Sequence, residues 1–501
     1  MYKKERPLLR HSGFLAYILM SKYCYITTTI PYVNADPHIG FALEIVHADI
    51  FTRYQKLLGY EIFFNTGTDE HGIKVWRKAT ELGKDPQQYV DESALKYKAL
   101  LPALGISGDV NFIRTTNPAH KRAAQEFWRR CETAGDIYKK NYKVKYCVGC
   151  ELEKTDSELE NGRCGIHPNL ELEIIEEENY FFRLSNYQEK LLKLYDSRAD
   201  FVVPGFRLNE IYSLIKEKGL EDFSISRLKE KMPWGVAVPG DDRHVMYVWF
   251  DAFINYISAI GWPDDMENFT KWWPVLQFAG KDQVRQQVVM WQAMLMSVGI
   301  PPSRQIIIHG FITSGGEKMS KSLGNVVDPV AIIAEFGTDA LRWYLARHIH
   351  PFEDSDFTLE KFKEAYNADL ANGIGNLVSR IMKMAQEHIS DTNIPRDTNE
   401  TNHMNDVPQI YREAFLQYNI QGVAECVMQE VSRLDRRIQE TEPFKLVKKD
   451  REQGVTLIKE LVTGLSAVAR MLTPILPETA KKIEGLVRTN EMPVAPLFPR
   501  K

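Results

Sequence analysis

The chain has 501 residues, with 63 Lys and Arg against 67 Asp and Glu and a net charge of −4. That length exceeds one core and predicts three or more packed units; the balanced charge excludes a global basic field, so any polyanion must be met by local patches. No apolar run reaches the length of a membrane span, and six cysteines in so long a chain make no disulfide framework, which fits a reducing cytoplasm.

Residues 1–20, "MYKKERPLLRHSGFLAYILM", join a basic stretch to a short apolar one with no small-residue cleavage site after it. They read as a disordered or mis-started extension, with Met20 as the alternative initiator, rather than as a signal peptide. "YCYITTTI" follows as a buried strand. From Ile39 the apolar positions Leu43, Val46, Ile50, Tyr54 and Leu57 recur at helical spacing, and Gly59 stands where a helix C-terminal glycine would. "EIFFNTGTDEHG" is a second strand ending in a polar turn, so residues 21–114 form a strand–helix–strand unit, the first half of a parallel-sheet domain.

A charged, cysteine-bearing stretch, 115–233, reads as an insertion. The α/β pattern resumes over 234–325, where "HVMYVWFDAFINYISAI" looks like strand then helix, and "WPVLQFAGKD" and "RQIIIHGFI" like strands. Residues 326–357 connect to a helical region, 358–501. There Ile458, Leu461, Val462, Leu465, Val468, Ala469 and Leu472 form one apolar stripe, as a packed bundle requires.

Three segments carry chemistry. In "PHIGF" a strand hands over to a helix at His38, Ile39 and Gly40, so free amides and the positive helix end face an anion, and Gly40 leaves room for a flat ring. Alone, His-x-Gly is more simply a helix cap. "GGEKMSKSLGN" sets Lys318 and Lys321 with Ser320 and Ser322 between glycines, a loop rich in phosphate donors that alone is also a solvated charged loop. Cys147 and Cys150, then after thirteen residues Cys164 and His167, give C-x2-C and C-x2-H. Three thiolates and an imidazole close a tetrahedral zinc site with no open position, hence a structural one. Cys24, Cys131 and Cys426 read as buried small apolar residues.

"PHIGF" followed by a complete "KMSKS" resembles the two signatures of class I aminoacyl-tRNA synthetases. "TTTIPYVNADPHIG", "GTDEHG", "YCVGC…CGIH", "YVWFDAFINYI", "GKD" and "NLVSR" narrow the likeness to the methionyl-tRNA synthetase family over nearly the whole chain from Ser21. The resemblance implies a Rossmann-like catalytic domain split by the zinc-bearing insertion, and a helical anticodon-binding domain. It implies a methionine pocket of Ile30, Tyr32, Trp249, Ala252, Tyr256 and Gln287, with Asp69 on the ammonium group. Gly40, Gly280 and Asp282 would hold ATP, His38 the α-phosphoryl group, and Lys318 and Lys321 the departing phosphates with Mg²⁺. Asn376, Arg380 and Phe444 would meet the tRNA(Met) anticodon, and a cytoplasmic monomer is expected. Three departures stand out: Phe41 replaces the second signature histidine, Gln287 a histidine frequent in the family, and Phe444 its usual tryptophan. The rivals are another class I synthetase, a nucleotidylyltransferase using the same His-x-Gly chemistry, and a non-catalytic tRNA-binding relative.

Overall fold

The computed structural model describes residues 22–150, 152–154, 159–319, 325–389 and 407–501. The expected extension at residues 1–20 therefore lies outside the described residues.

The apolar run Tyr23–Thr27 forms strand β1, buried on both faces as the middle of a parallel sheet demands. Helix α1 (Ile39–Leu57) follows, ending at Leu58 with Gly59 at φ +87°, the left-handed conformation that stops a helix. β2 (Glu61–Thr68) returns beside β1, and β3 (Asn111–Arg114) extends that side. After β4 (Val202–Val203), β5 (Val275–Gly280) and β6 (Gln305–His309) build the other side. The order is β3-β2-β1-β5-β6-β4, all parallel, and Tyr25 is paired with Phe63 on one side and Val275 on the other. The chain thus reverses its direction of growth between β1 and β5, the place where such sheets open a crevice at their carboxyl ends. β4 belongs to the stretch read as an insertion, yet it joins this sheet.

The rest of that stretch builds its own antiparallel sheet. Ile137–Cys147 runs against Glu173–Phe182 from the Ile137–Phe182 pair to the Tyr146–Glu173 pair, and the cysteine knuckle lies at the far tip. "HVMYVWFDAFINYISAI" is strand then helix, as expected, but not within the parallel sheet. Its strand, Asp241–Met246, pairs antiparallel with Ser226–Leu228 and Ala237–Val238, outside the parallel sheet. Trp249, read as a strand residue, sits on a helix, Val248–Ala252. A short apolar run does not reveal its own period; helical winding here turns the buried Asp251 toward two histidines, His71 and His120.

The C-terminal region is helical, and its stripe from Ile458 to Leu472 is buried along the helix Arg451–Leu472. One apolar core runs from Cys24 and Ile26 through α1 to Leu472 and Phe498. α1 is consequently buried on nearly every side; Tyr54 stacks on Phe415 of the helix Gln409–Leu416, ring centroids 3.8 Å apart. Cys24, Cys131 and Cys426 are buried and unpaired. Among the described residues no helix is long and apolar enough to cross a membrane.

Candidate active site

A cavity of about 420 Å³ opens at the carboxyl ends of β1, β2, β5 and β6. Ile30 and Tyr32 come from the loop after β1, Asp69 from the turn after β2, Gly280 and Asp282 from the end of β5. His38 and Gly40 come from the start of α1; Trp249, Ala252 and Tyr256 from the two short helices; Gln287 from a π-helical turn, Arg285–Met290. All these expected residues line the one cavity.

His38 is the N-cap of α1, and its Nδ1 accepts from the Gly40 amide at 3.0 Å. The ring proton is thereby assigned to Nε2, which makes that atom a hydrogen-bond donor. A Cβ on Gly40 would stand 2.8 Å from the His38 ring, so the space left by the glycine is filled by this imidazole. The amide cradle expected here is absent. Ile39 N donates to Val327 O (3.1 Å), Gly40 N to His38, and Phe41 N and Ala42 N to His38 O. Capping has satisfied the amides that an anion would have used, leaving the helix end's positive potential and the imidazole. Phe41 sits edge-to-face on Tyr97, centroids 5.3 Å apart, and closes part of the wall.

Asp69 is buried and fixed by its backbone: its N–H donates to Pro31 O (2.9 Å), and Val33 N donates to its carbonyl (3.3 Å). Tyr32, Trp249 and Phe253 form an aromatic corner, with Tyr32 edge-to-face on Trp249 at 6.2 Å. Gln287 Nε2 donates to Tyr256 Oη (2.7 Å), and Gln287 Oε1 accepts from Gln277 Nε2 (3.1 Å). Burial pushes the Tyr256 hydroxyl's pKa well up, so it stays protonated.

Among the lining residues that escaped the sequence, two form an ion pair. Glu44, on α1, accepts from Thr29 N and Oγ1 (both 2.6 Å) and pairs with His309 at the end of β6 (2.7 Å). Burial alone would lower the His309 pKa; the hydrogen bond and charge of Glu44 outweigh it and raise it above the ordinary 6.5. A histidine ending an apolar strand was the available signal, but nothing in the sequence tied it to Glu44.

The short strand Glu317–Lys318 pairs with Thr313 and Ser314, and Met319 after it lines the cavity. Lys321, Ser320 and Ser322 lie outside the described residues. Asn376 and Arg380 share the helix Asn376–His388 and are not among the residues that line the cavity; Arg380 pairs with Asp435. Phe444 is 42% exposed, on the helix Pro443–Lys449.

Cys147, Cys150, Cys164 and His167 converge, all four ligand atoms within 4.8 Å of one another. Cys150 Sγ lies 3.5 Å from Cys164 Sγ and 3.2 Å from His167 Nδ1, and Cys147 Sγ lies 3.8 Å from that nitrogen. Ligands on tetrahedral arms of about 2.3 Å stand roughly 3.8 Å apart, so the four fit a single small cation.

A nucleotide-type crevice entered by a histidine-capped helix and by the Lys318–Met319 segment, with an aromatic, acid-bearing pocket beside it, is the arrangement of a class I aminoacyl-tRNA synthetase. Comparison with known proteins makes this specific: the family described as "tRNA synthetases class I (M)" matches residues 24–166 and 149–382. The chain belongs to that family, the methionyl-tRNA synthetases. It is 40% identical to the methionine–tRNA ligase of Thermotoga maritima over 481 residues, covering 94% of this chain and 76% of that one. To the Nostoc sp. enzyme of the same name it is 40% identical over 472 residues, 91% of this chain and 88% of the other. The Mycobacterium tuberculosis methionyl-tRNA synthetase in complex with methionyl-adenylate superposes with a TM-score of 0.86 at 34% identity, covering 95% of this chain and 100% of that one.

Proposed function

We propose that this chain is a methionine–tRNA ligase working in two steps in the cytoplasm. The observation that carries the reading is the one cavity in which His38, Asp69, the Tyr32–Trp249 corner, Asp282 and Met319 meet. An unbranched thioether suits an aromatic, aliphatic wall, and Asp69 selects the ammonium group. A methionine carboxylate oxygen, already ionised, attacks the α-phosphorus of ATP; the bond to the β-phosphate bridging oxygen breaks and pyrophosphate leaves. A hydroxyl of the terminal tRNA ribose then attacks the methionyl carbonyl, and AMP leaves.

The protein's task is positioning and charge stabilisation. His38 donates through Nε2 to the α-phosphoryl oxygen as charge grows there. Gly280 and Asp282 shape the nucleoside seat, while Lys318 and Lys321 take the departing phosphates. Mg²⁺ bound with ATP supplies charge neutralisation for the triphosphate. Zinc fits the four-ligand knuckle, and with every position filled by protein its role is structural. Asn376, Arg380 and the exposed Phe444 form the anticodon contact; base stacking on such a ring contributes about 1–3 kcal/mol. The chain acts as a monomer.

Exchange of radiolabelled pyrophosphate into ATP, run with each amino acid, tests the reading. Methionine alone should support fast exchange; no exchange, or exchange driven by another amino acid, would remove it.

A further inference from the structure

One lysine touches both the four-ligand knuckle and the cavity wall. Lys74 opens the helix Ile73–Glu81, directly after the turn that carries Asp69. Its ammonium donates to Gly149 O at 2.6 Å, inside the Cys147–Cys150 knuckle, and lies 5.1 Å from the centre of the Tyr32 ring. Gly149 in turn packs on a ligand: a Cβ there would stand 2.5 Å from Cγ of His167. A continuous series of contacts thus runs from His167 through Gly149 and Lys74 to Tyr32 and Trp249.

Each contact is directional. A bound cation fixes the knuckle's backbone through its four ligands, so the Gly149 carbonyl becomes a fixed acceptor. That acceptor locates the ammonium, and a cation over a ring face holds the ring against it. Without the cation no cross-link ties Cys147–Cys150 to Cys164 and His167, all six cysteines being free. The carbonyl is then released, and the ammonium is no longer located over Tyr32.

We propose that Lys74 is a positioning residue that couples cation occupancy of the knuckle to methionine affinity. It acts through Tyr32, which lines the cavity. This rests on the reading of the cavity as a methionine pocket and of the knuckle as a zinc site.

Linkage makes the coupling measurable from either end, since two ligands that favour one conformation raise each other's affinity by the same factor. In the full-length protein, zinc affinity is measured by competition with a chromogenic chelator, without and with saturating methionine. Methionine should tighten zinc binding about fivefold, and Lys74→Met, which keeps the stem and removes the ammonium, should bring the factor to about one while still binding one zinc. Lys74→Arg, which keeps a cation in reach of Gly149 O and the ring, should restore most of it. Calorimetry on the zinc-loaded proteins supplies the second readout: Lys74→Met should bind methionine about fivefold more weakly than the parent. An unchanged zinc affinity on adding methionine to the parent, or a full effect surviving in Lys74→Met, overturns the coupling while the ligase reading stands. Failure of methionine to bind the zinc-loaded parent overturns both.

Discussion

His38 commits one ring nitrogen to its own helix and so has only the other for a ligand. Its two roles are separable, because asparagine is an equally good cap but is too short to present a donor at the same place. His38→Asn should therefore keep the fold and lower kcat for pyrophosphate exchange about 100-fold with little change in methionine KM, the signature of an interaction made in the transition state. Steady-state kinetics with circular dichroism checks it. Phe41, which stands in place of the second signature histidine and offers no donor, packs on Tyr97 as a wall residue. Another histidine on the same helix answers to pH. His47 is buried with Nε2 2.9 Å from Leu345 O, and burial holds its pKa down to about 4 from an ordinary 6.5. The unfolded chain takes up this proton as pH falls below 6.5 and the folded one does not, so stability drops through the window from 6.5 to 4. The loss should total about 3 kcal/mol and be missing from His47→Gln, read by urea unfolding across that range.

The elements were legible in unequal measure. β1, α1, β2, β5 and β6 were visible because their patterns are long or bounded by polar turns. Trp249 alone was placed in the strand rather than the helix that follows it, because a short apolar run fits either period; what decides it is the buried Asp251, held between His71 and His120, and neither partner is near in sequence. The π-helical turn Arg285–Met290, which carries Gln287, has no sequence signature at all. The site fared better than its mechanics. Strand ends and motifs fixed which side chains face the cavity, but hydrogen bonds local to α1, especially Ile39 to Val327, decide that the amides there are already taken. The Glu44–His309 pair was invisible because it joins the second turn of a helix to the end of a strand 265 residues away.

Across the whole molecule, Arg342 is the joint. It has no exposed surface, yet its guanidinium donates to Asp49 of α1 (2.8 Å), Leu104 O (3.1 Å), Pro474 O (3.1 Å) and Ile475 O (2.8 Å). Three parts of the chain distant in sequence are thus held by one charge, and Asp49 is itself fully buried. Removing the guanidinium leaves buried Asp49 with Arg53 Nε (2.7 Å) and Ser107 N (3.1 Å) as remaining partners, so the cost is about 3 kcal/mol, the low end for breaking a buried pair. Arg342→Met should lower the unfolding free energy by that amount in a denaturant titration, and replacing Asp49 as well should recover part of it.

The same guanidinium sets a limit on modularity. Because half its acceptors lie in residues 474–475 and α1 shares its apolar packing with the helices beyond Phe357, the helical half is a buttress of the helix that presents His38. A chain severed at the junction would be left with a raw hydrophobic scar and an Arg342 short of two of its four acceptors, so the cavity and the helical region of this molecule stand or fall on shared masonry.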